Sequence, residues 1–172
     1  MARAYIGVGS NIDRERNVTA SLDALSEAYG DLRLSTVLET DAVGFKGDPF
    51  YNLVVGLETT QPVGALAEFL RRVEDDCGRR RDTPKFSSRS LDLDLLTYGD
   101  VVGVVDGVSL PRPEITENAF VLYPLAEIAG DELHPVARES YADLWRQLDV
   151  GEQELRPVAF EWQRARSWNP HS

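Results

Sequence analysis

Two rhythms of apolar residues divide the chain. Residues 3–9 form an apolar run that ends at Gly7-Val8-Gly9-Ser10-Asn11 and predicts a strand. Val18, Leu22, Leu25 and Tyr29 then recur at i, i+4, i+7 and i+11, one stripe of a helix. Ser10, Asn11 and Asp13 offer oxygens to cap its start, and Gly30 suits its stop. Leu32–Thr40 reads as a strand and Asp41–Pro49 as a loop with Gly44 and Gly47. Phe50–Thr59 is a strong second strand. Pro62 fits the first turn of a helix, whose stripe is Leu66, Phe69, Leu70, Val73 and Cys77. Arg89–Tyr98 predicts a third strong strand, closed by Gly99-Asp100. Val101–Leu110 reads as a strand or a hairpin, Ala119–Ala129 as a helix interrupted at Pro124, and Ser140–Leu148 as a short helix capped by Ser140. The last twenty residues carry no readable pattern.

The order strand, helix, strand, strand, helix, strand is a split βαβ pattern. It predicts an α+β fold, an antiparallel sheet with helices packed on one face. With 172 residues and no repeat or linker, one domain over residues 1–172 is expected. A hydrophobic share of 42% supports a packed core and argues against global disorder. No apolar run approaches the roughly 20 residues that span a bilayer. The N-terminus lacks the long apolar stretch and cleavage site of a signal peptide. A soluble cytoplasmic protein with no membrane partner is the expectation.

Charge narrows the chemistry. A net charge of -11 makes duplex nucleic acid a poor partner, since binding there needs a basic surface. It does not exclude a nucleotide held by a local arginine cluster with magnesium. Such a cluster exists: Gly78–Ser88 carries Arg79, Arg80, Arg81 and Lys85, and Arg89 follows directly. The single cysteine, Cys77, has no partner for a disulfide or zinc site and reads as a small apolar residue on a helix's inner face.

Asp92 and Asp94 lie two apart in a strand, so their side chains share a face while Leu91, Leu93 and Leu95 fill the other. Paired carboxylates repel unless a cation joins them. Magnesium, hard and oxygen-loving, is commonly held by one or two carboxylates plus substrate phosphates. Pattern alone leaves two readings open, a phosphate-handling site and a solvated edge strand. In the same way Phe50 and Phe120 fit a core as readily as a ligand, Asn52 a turn, and Arg79, Arg81 and Lys85 a solvated loop.

Four ordered segments change that balance. They are Ala4-Tyr5-Ile6-Gly7-Val8-Gly9-Ser10-Asn11, Phe50–Thr59, Gly78-Arg79 through Arg89-Ser90-Leu91-Asp92-Leu93-Asp94-Leu95-Leu96-Thr97-Tyr98-Gly99, and Leu110-Pro111-Arg112-Pro113 through Asn118–Ala129. Together they resemble the 6-hydroxymethyl-7,8-dihydropterin pyrophosphokinase family, to about residue 148, which leaves 149–172 as a C-terminal extension. The resemblance implies a ferredoxin-like fold, ATP as co-substrate, two magnesium ions and a hydroxymethyl-dihydropterin acceptor, in a monomer or weak dimer. By position it implies Asp92 and Asp94 as metal ligands and, with Arg79 and Arg89, as catalytic residues. Glu74, Arg79, Arg81, Lys85, Arg89 and Arg112 are the implied ATP contacts. Thr40, Val43, Gly44, Phe50, Asn52, Phe86 and Phe120 are the implied acceptor contacts, with Phe50 and Phe120 sandwiching the ring. Gly7 and Gly9 read as a close backbone approach and a turn.

The chain departs from the family pattern at four places. Thr40-Asp41-Ala42-Val43-Gly44 replaces Thr-Pro-Pro-x-Gly, Phe86 stands near the usual tryptophan, Pro111-Arg112-Pro113 replaces Pro-His-Pro, and Asn118 stands where a basic residue is common. Three activities are therefore in play: the family reaction, a related kinase with an altered pterin acceptor, and a non-catalytic pterin- or nucleotide-binding protein. The loops Asp41–Pro49 and Arg80–Ser88 have the polar, Gly- or Arg-rich composition of lids.

Overall fold

Strand β1 (Ala2–Ser10) decides the layout, because it pairs on both sides. In a computed structural model that describes residues 1–42, 46–78 and 90–162, β1 lies antiparallel between β4 (Phe50–Thr59) and β5 (Asp92–Tyr98). The sheet continues from β4 through β3 (Val37–Thr40) to β8 (Arg156–Val158), and β2 (Arg33–Leu34) also pairs with β4. Helices α1 (Arg14–Tyr29) and α2 (Val63–Asp76) supply the split βαβ crossings. A small hairpin, β6 (Gly103–Val105) with β7 (Val108–Leu110), realises the hairpin alternative.

Alternation sorts the side chains. Ile6 and Val8, Leu53 and Val55, and Leu91, Leu93 and Leu95 face α1 and α2, where Val18, Leu22, Leu25, Leu66, Leu70 and Val73 meet them. Each such buried side chain contributes roughly 1.5–3 kcal/mol. Cys77 packs at the margin of this core, as its stripe predicts. The opposite face is shared. Tyr5, Val54 and Leu96 are covered by a 3₁₀ turn (Pro113–Thr116), α3 (Ala119–Ala129) and α4 (Tyr141–Gln147) through Ile115, Leu122, Leu125 and Tyr141. The helices of the split pattern do pack on one face, and the C-terminal helices add a partial second cover.

Several boundaries differ from the pattern. Ser10, Asn11 and Asp13 do not cap α1: Asp13 sits at its start with left-handed φ 43° and makes no side-chain cap bond. Ser10 Oγ instead lies 2.5 Å from Ser90 O, and Asn11 Nδ2 donates to Asp48 O at 3.0 Å, so these side chains tie loops to β1. Gly30 does end the helix, at φ 85°. The expected strand 32–40 breaks at Ser35-Thr36. There Ser35 Oγ accepts from Val54 N, and Glu127 accepts from both Thr36 N and Thr36 Oγ1. Side chains take over the ladder at that point. In the third strong strand regular pairing starts at Asp92, after Ser90 and Leu91; Arg89 lies outside the described residues. Pro124 does not interrupt α3. Its missing N–H would have bonded Phe120 O, in the first turn, so only one bond near the helix end is lost. Ser140 caps α4 as predicted, its Oγ accepting from Asp143 N at 3.1 Å. The unread tail contains β8, a three-residue edge strand with Pro157 inside it, a place where proline is tolerated.

Candidate active site

The register places three strands in rows. Asn52, Gly9 and Asp92 lie side by side across β4, β1 and β5, and Val54, Gly7 and Asp94 form the next row. All point to the α3 side of the sheet, because Leu53, Val8 and Leu93 between them point to the α1/α2 core. Glycine at the middle of each row leaves a trough. A Cβ on Gly9 would sit 3.1 Å from Asn52 Oδ1, and one on Gly7 would touch Leu96. The trough is a pocket of about 200 Å³ floored by Gly7, Gly9, Asn52, Asp92 and Asp94 and walled by Glu114, Asn118 and Phe120.

Each polar wall is held by a second contact. Asn52 Nδ2 donates to Thr40 Oγ1 at 2.6 Å, which fixes the amide. Arg112 N donates to Leu96 O at 2.9 Å, which seats that loop on β5. The Arg112 guanidinium donates to Asp94 Oδ1 at 3.2 Å and forms an ion pair with Glu114 at 3.3 Å that lacks hydrogen-bond geometry. Glu74 is buried beneath β5 and accepts from Leu93 N at 2.8 Å, between the two aspartates.

Electrostatics follow from this crowding. Burial and then the neighbouring Asp92 charge push Asp94 up to about 7, with Arg112 opposing and Glu74 and Glu114 adding. Such a pair gains from a cation. Its donors are all carboxylate oxygens, which suit magnesium, with substrate oxygens completing the ligand shell.

The predicted residues sort into three groups. Asn52, Asp92, Asp94 and Phe120 line one pocket. Phe50 adjoins it, with Cδ2 3.9 Å from where a Gly9 Cβ would be. Thr40 reaches it through Asn52, Arg112 through Asp94, and Glu74 from beneath β5. Val43, Gly44, Arg79, Arg81, Lys85, Phe86 and Arg89 lie outside the described residues, as do part of the Asp41–Pro49 lid and all of the Arg80–Ser88 lid. Glu114 was missed. Its place is set by the 3₁₀ turn after Pro113, which leaves no periodic signal. A larger cavity of about 440 Å³ lies elsewhere, around Arg3, Tyr5 and Arg33, and contains none of the predicted residues. Its Arg3 is already paired with Glu58 and Glu132.

A ferredoxin-like sheet with a two-carboxylate trough beside an amide and an aromatic ring defines a small phosphoryl-transfer enzyme of the α+β class. A family model described as 7,8-dihydro-6-hydroxymethylpterin-pyrophosphokinase (HPPK) matches residues 5–130, and the chain belongs to that family. The 2-amino-4-hydroxy-6-hydroxymethyldihydropteridine pyrophosphokinase of Aquifex aeolicus is 33% identical over 141 residues, 81% of this chain and 88% of its own length. The Pseudomonas aeruginosa protein of the same name is 35% identical over 141 residues, 79% of this chain and 86% of its own. Among solved structures, the HPPK-DHPS of Plasmodium falciparum with SDX-DHP matches at TM-score 0.65 and 13% identity, over 86% of this chain and 43% of that one. At that identity the match speaks for the fold.

Proposed function

We propose that this chain transfers the pyrophosphoryl group of ATP to the hydroxymethyl oxygen of 6-hydroxymethyl-7,8-dihydropterin, in folate biosynthesis. The acceptor oxygen bonds to the β-phosphorus, the bond to the α–β bridging oxygen breaks, AMP leaves, and the hydroxyl proton is released. The observation that carries the reading is the row Asn52–Gly9–Asp92, which brings an amide for a heterocycle edge and a metal-type carboxylate to one trough floor.

Asp92 and Asp94 are the magnesium ligands in this reading, for two ions. Bound magnesium supplies positive charge for the oxygens of the transferring group and its leaving oxygen. Asn52, its amide fixed by Thr40, presents Oδ1 to the acceptor edge. Phe120 and Phe50 flank the ring, joined by Phe86, Val43 and Gly44 as acceptor contacts by position. Arg79, Arg81, Lys85 and Arg89 hold the phosphates, and Arg79 and Arg89 meet the charge that develops in transfer. Arg112 orients Asp94 and lies within reach of a phosphate. Glu74 acts from under β5 by fixing Leu93 between the ligands. Residues 1–172 work as one domain, in the cytoplasm, as a monomer or weak dimer with ATP and the pterin as partners, and without nucleic acid or membrane; no described helix is long and apolar enough to cross a membrane.

AMP release from ATP and magnesium, with and without the pterin, tests the reading. Pterin-dependent AMP is the expected result, and its absence from folded protein rejects it. One observation favours a second reading: Glu114 puts an acidic wall on the pocket, which suits an acceptor with an extra hydrogen-bond donor. A panel of substituted pterins separates the two by rate.

A further inference from the structure

The tail after α4 lies beyond the family-model match at residue 130, yet it contacts residues next to the acceptor pocket at two places. The first contact is at α3. Asn118 stands at the start of that helix and makes no side-chain cap bond. The orphan N–H of Ala119 donates instead to Gln153 Oε1 at 2.9 Å, from 34 residues further along the chain. Ala119 is fully buried and directly precedes Phe120, the aromatic wall.

The second contact is at β3. Strand β8 pairs with it, Arg156 opposite Glu39. The Arg156 guanidinium donates to Asp41 Oδ1 at 2.9 Å, to Glu39 Oε1 at 3.3 Å and to Glu154 Oε2 at 3.2 Å. Glu39 also accepts from Arg14 at 2.8 Å, and Arg14 donates to Pro49 O at 3.1 Å. One network therefore grips both ends of the 41–49 loop. Between Glu39 and Asp41 stands Thr40, which holds Asn52. A turn closed by Gln153 N donating to Val150 O shapes the strap between the two contacts.

We propose that the segment 149–158 is a strap that positions the acceptor pocket, with Gln153 setting the Phe120 wall and Arg156 setting Thr40, which holds Asn52 on the floor. Both are positioning residues. A single exposed ion pair contributes little. Here one guanidinium serves three carboxylates and is fixed in a strand, and the cap satisfies a donor that is otherwise unmet at the pocket rim.

The inference rests on the acceptor-pocket reading above, and the test separates the two. In the full-length protein, Arg156→Gln and Gln153→Ala are each expected to raise the acceptor KM about 3- to 10-fold, with the ATP KM changed less than about 2-fold. Arg156→Lys and Gln153→Glu, which keep the charge and the acceptor oxygen, are expected to stay near wild type. Acceptor KM unchanged in both loss variants, or both KM values rising together, overturns the strap. Amide exchange of residues 46–52 and 118–122, compared between wild type and the loss variants, gives a readout that needs no turnover. Faster exchange in the variants supports the strap, and equal exchange rejects it. Wild-type protein that releases no AMP while the variants exchange faster sinks the reaction and leaves the strap standing.

Discussion

Strand β5 has two faces with opposite roles. Leu93 and Leu95 point into the α1/α2 core, nearly inaccessible to water, while Asp92 and Asp94 point to the α3 side and a pocket. The same division runs through β1, where Ile6 and Val8 fill the core and Gly7 and Gly9 leave a hollow. One face is filled to close packing; the other is packed where Tyr5, Val54 and Leu96 meet the C-terminal helices and is hollow and charged around Gly7, Gly9, Asp92 and Asp94. The first stabilises the sheet, and the second uses that rigidity to hold two repelling carboxylates beside Asn52. Stability and chemistry are thus separable by parity along the strand, which makes them separable by mutation.

The largest effect is expected on the hollow face. Asp92→Ala or Asp94→Ala should lower pterin-dependent AMP release at least about 10³-fold, as expected when charge stabilisation in the transition state is lost. Circular dichroism should remain that of folded protein. Wild-type turnover in either variant removes the metal assignment. The filled face should answer in the other currency. Leu93→Ala, truncating a side chain 5% exposed, should destabilise by about 2–5 kcal/mol in denaturant titration. Its kcat below the unfolding transition should stay within a few-fold of wild type. A loss of kcat without loss of stability would break the parity rule.

Gly9→Ala tests the hollow itself. The added methyl would lie 3.1 Å from Asn52 Oδ1, closer than ordinary contact, so the amide must shift. The acceptor KM is expected to rise roughly 10-fold while the ATP KM holds, since small misplacements cost heavily in positioned sites. Equal rises in both would mean the trough floor serves nucleotide and pterin alike.

The filled face was legible in the chain because burial leaves a period. The stripe of α1, the stripe of α2 and the alternation of 92–98 each report their inner side directly. The hollow face was legible only in part. Asp92 and Asp94 announce a shared face by spacing, whereas Asn52 and Phe120 needed the ordered resemblance to join them. Glu114, Gln153 and Arg156 had no local signal. Gln153 meets Ala119 34 positions away, and Arg156 meets Asp41 and Glu39 115 and 117 positions away, pairs that no period links. Likewise Ser10 and Asn11 carry capping chemistry, but tertiary partners at Ser90 and Asp48 outbid the helix start.

The smallest effect concerns the standing cost of the hollow face. In the folded chain burial and then Asp92 disfavour the charge of Asp94 and push its pKa up to about 7, against 3.8 for the free side chain. The folded state thus keeps a proton that the unfolded state releases. The contribution to stability is full below pH 3.8 and is lost as pH rises through about 7. Asp94 is 40% exposed toward the pocket, so solvent softens the effect. Asp94→Asn is neutral at every pH. Its Tm relative to wild type, measured without divalent ions, should climb as pH rises from 4 to 8 and level off above about 7. The difference cancels groups that shift the other way, such as Glu39, which Arg14 holds below the usual carboxylate range. Magnesium should reverse the sign. A cation on Asp92 and Asp94 competes with the Asp94 proton, so wild-type magnesium affinity should weaken as pH falls below about 7, with a proton released on binding. A flat Tm difference, together with pH-independent magnesium affinity, would show that the two aspartates do not share a field and that the hollow face carries no such cost.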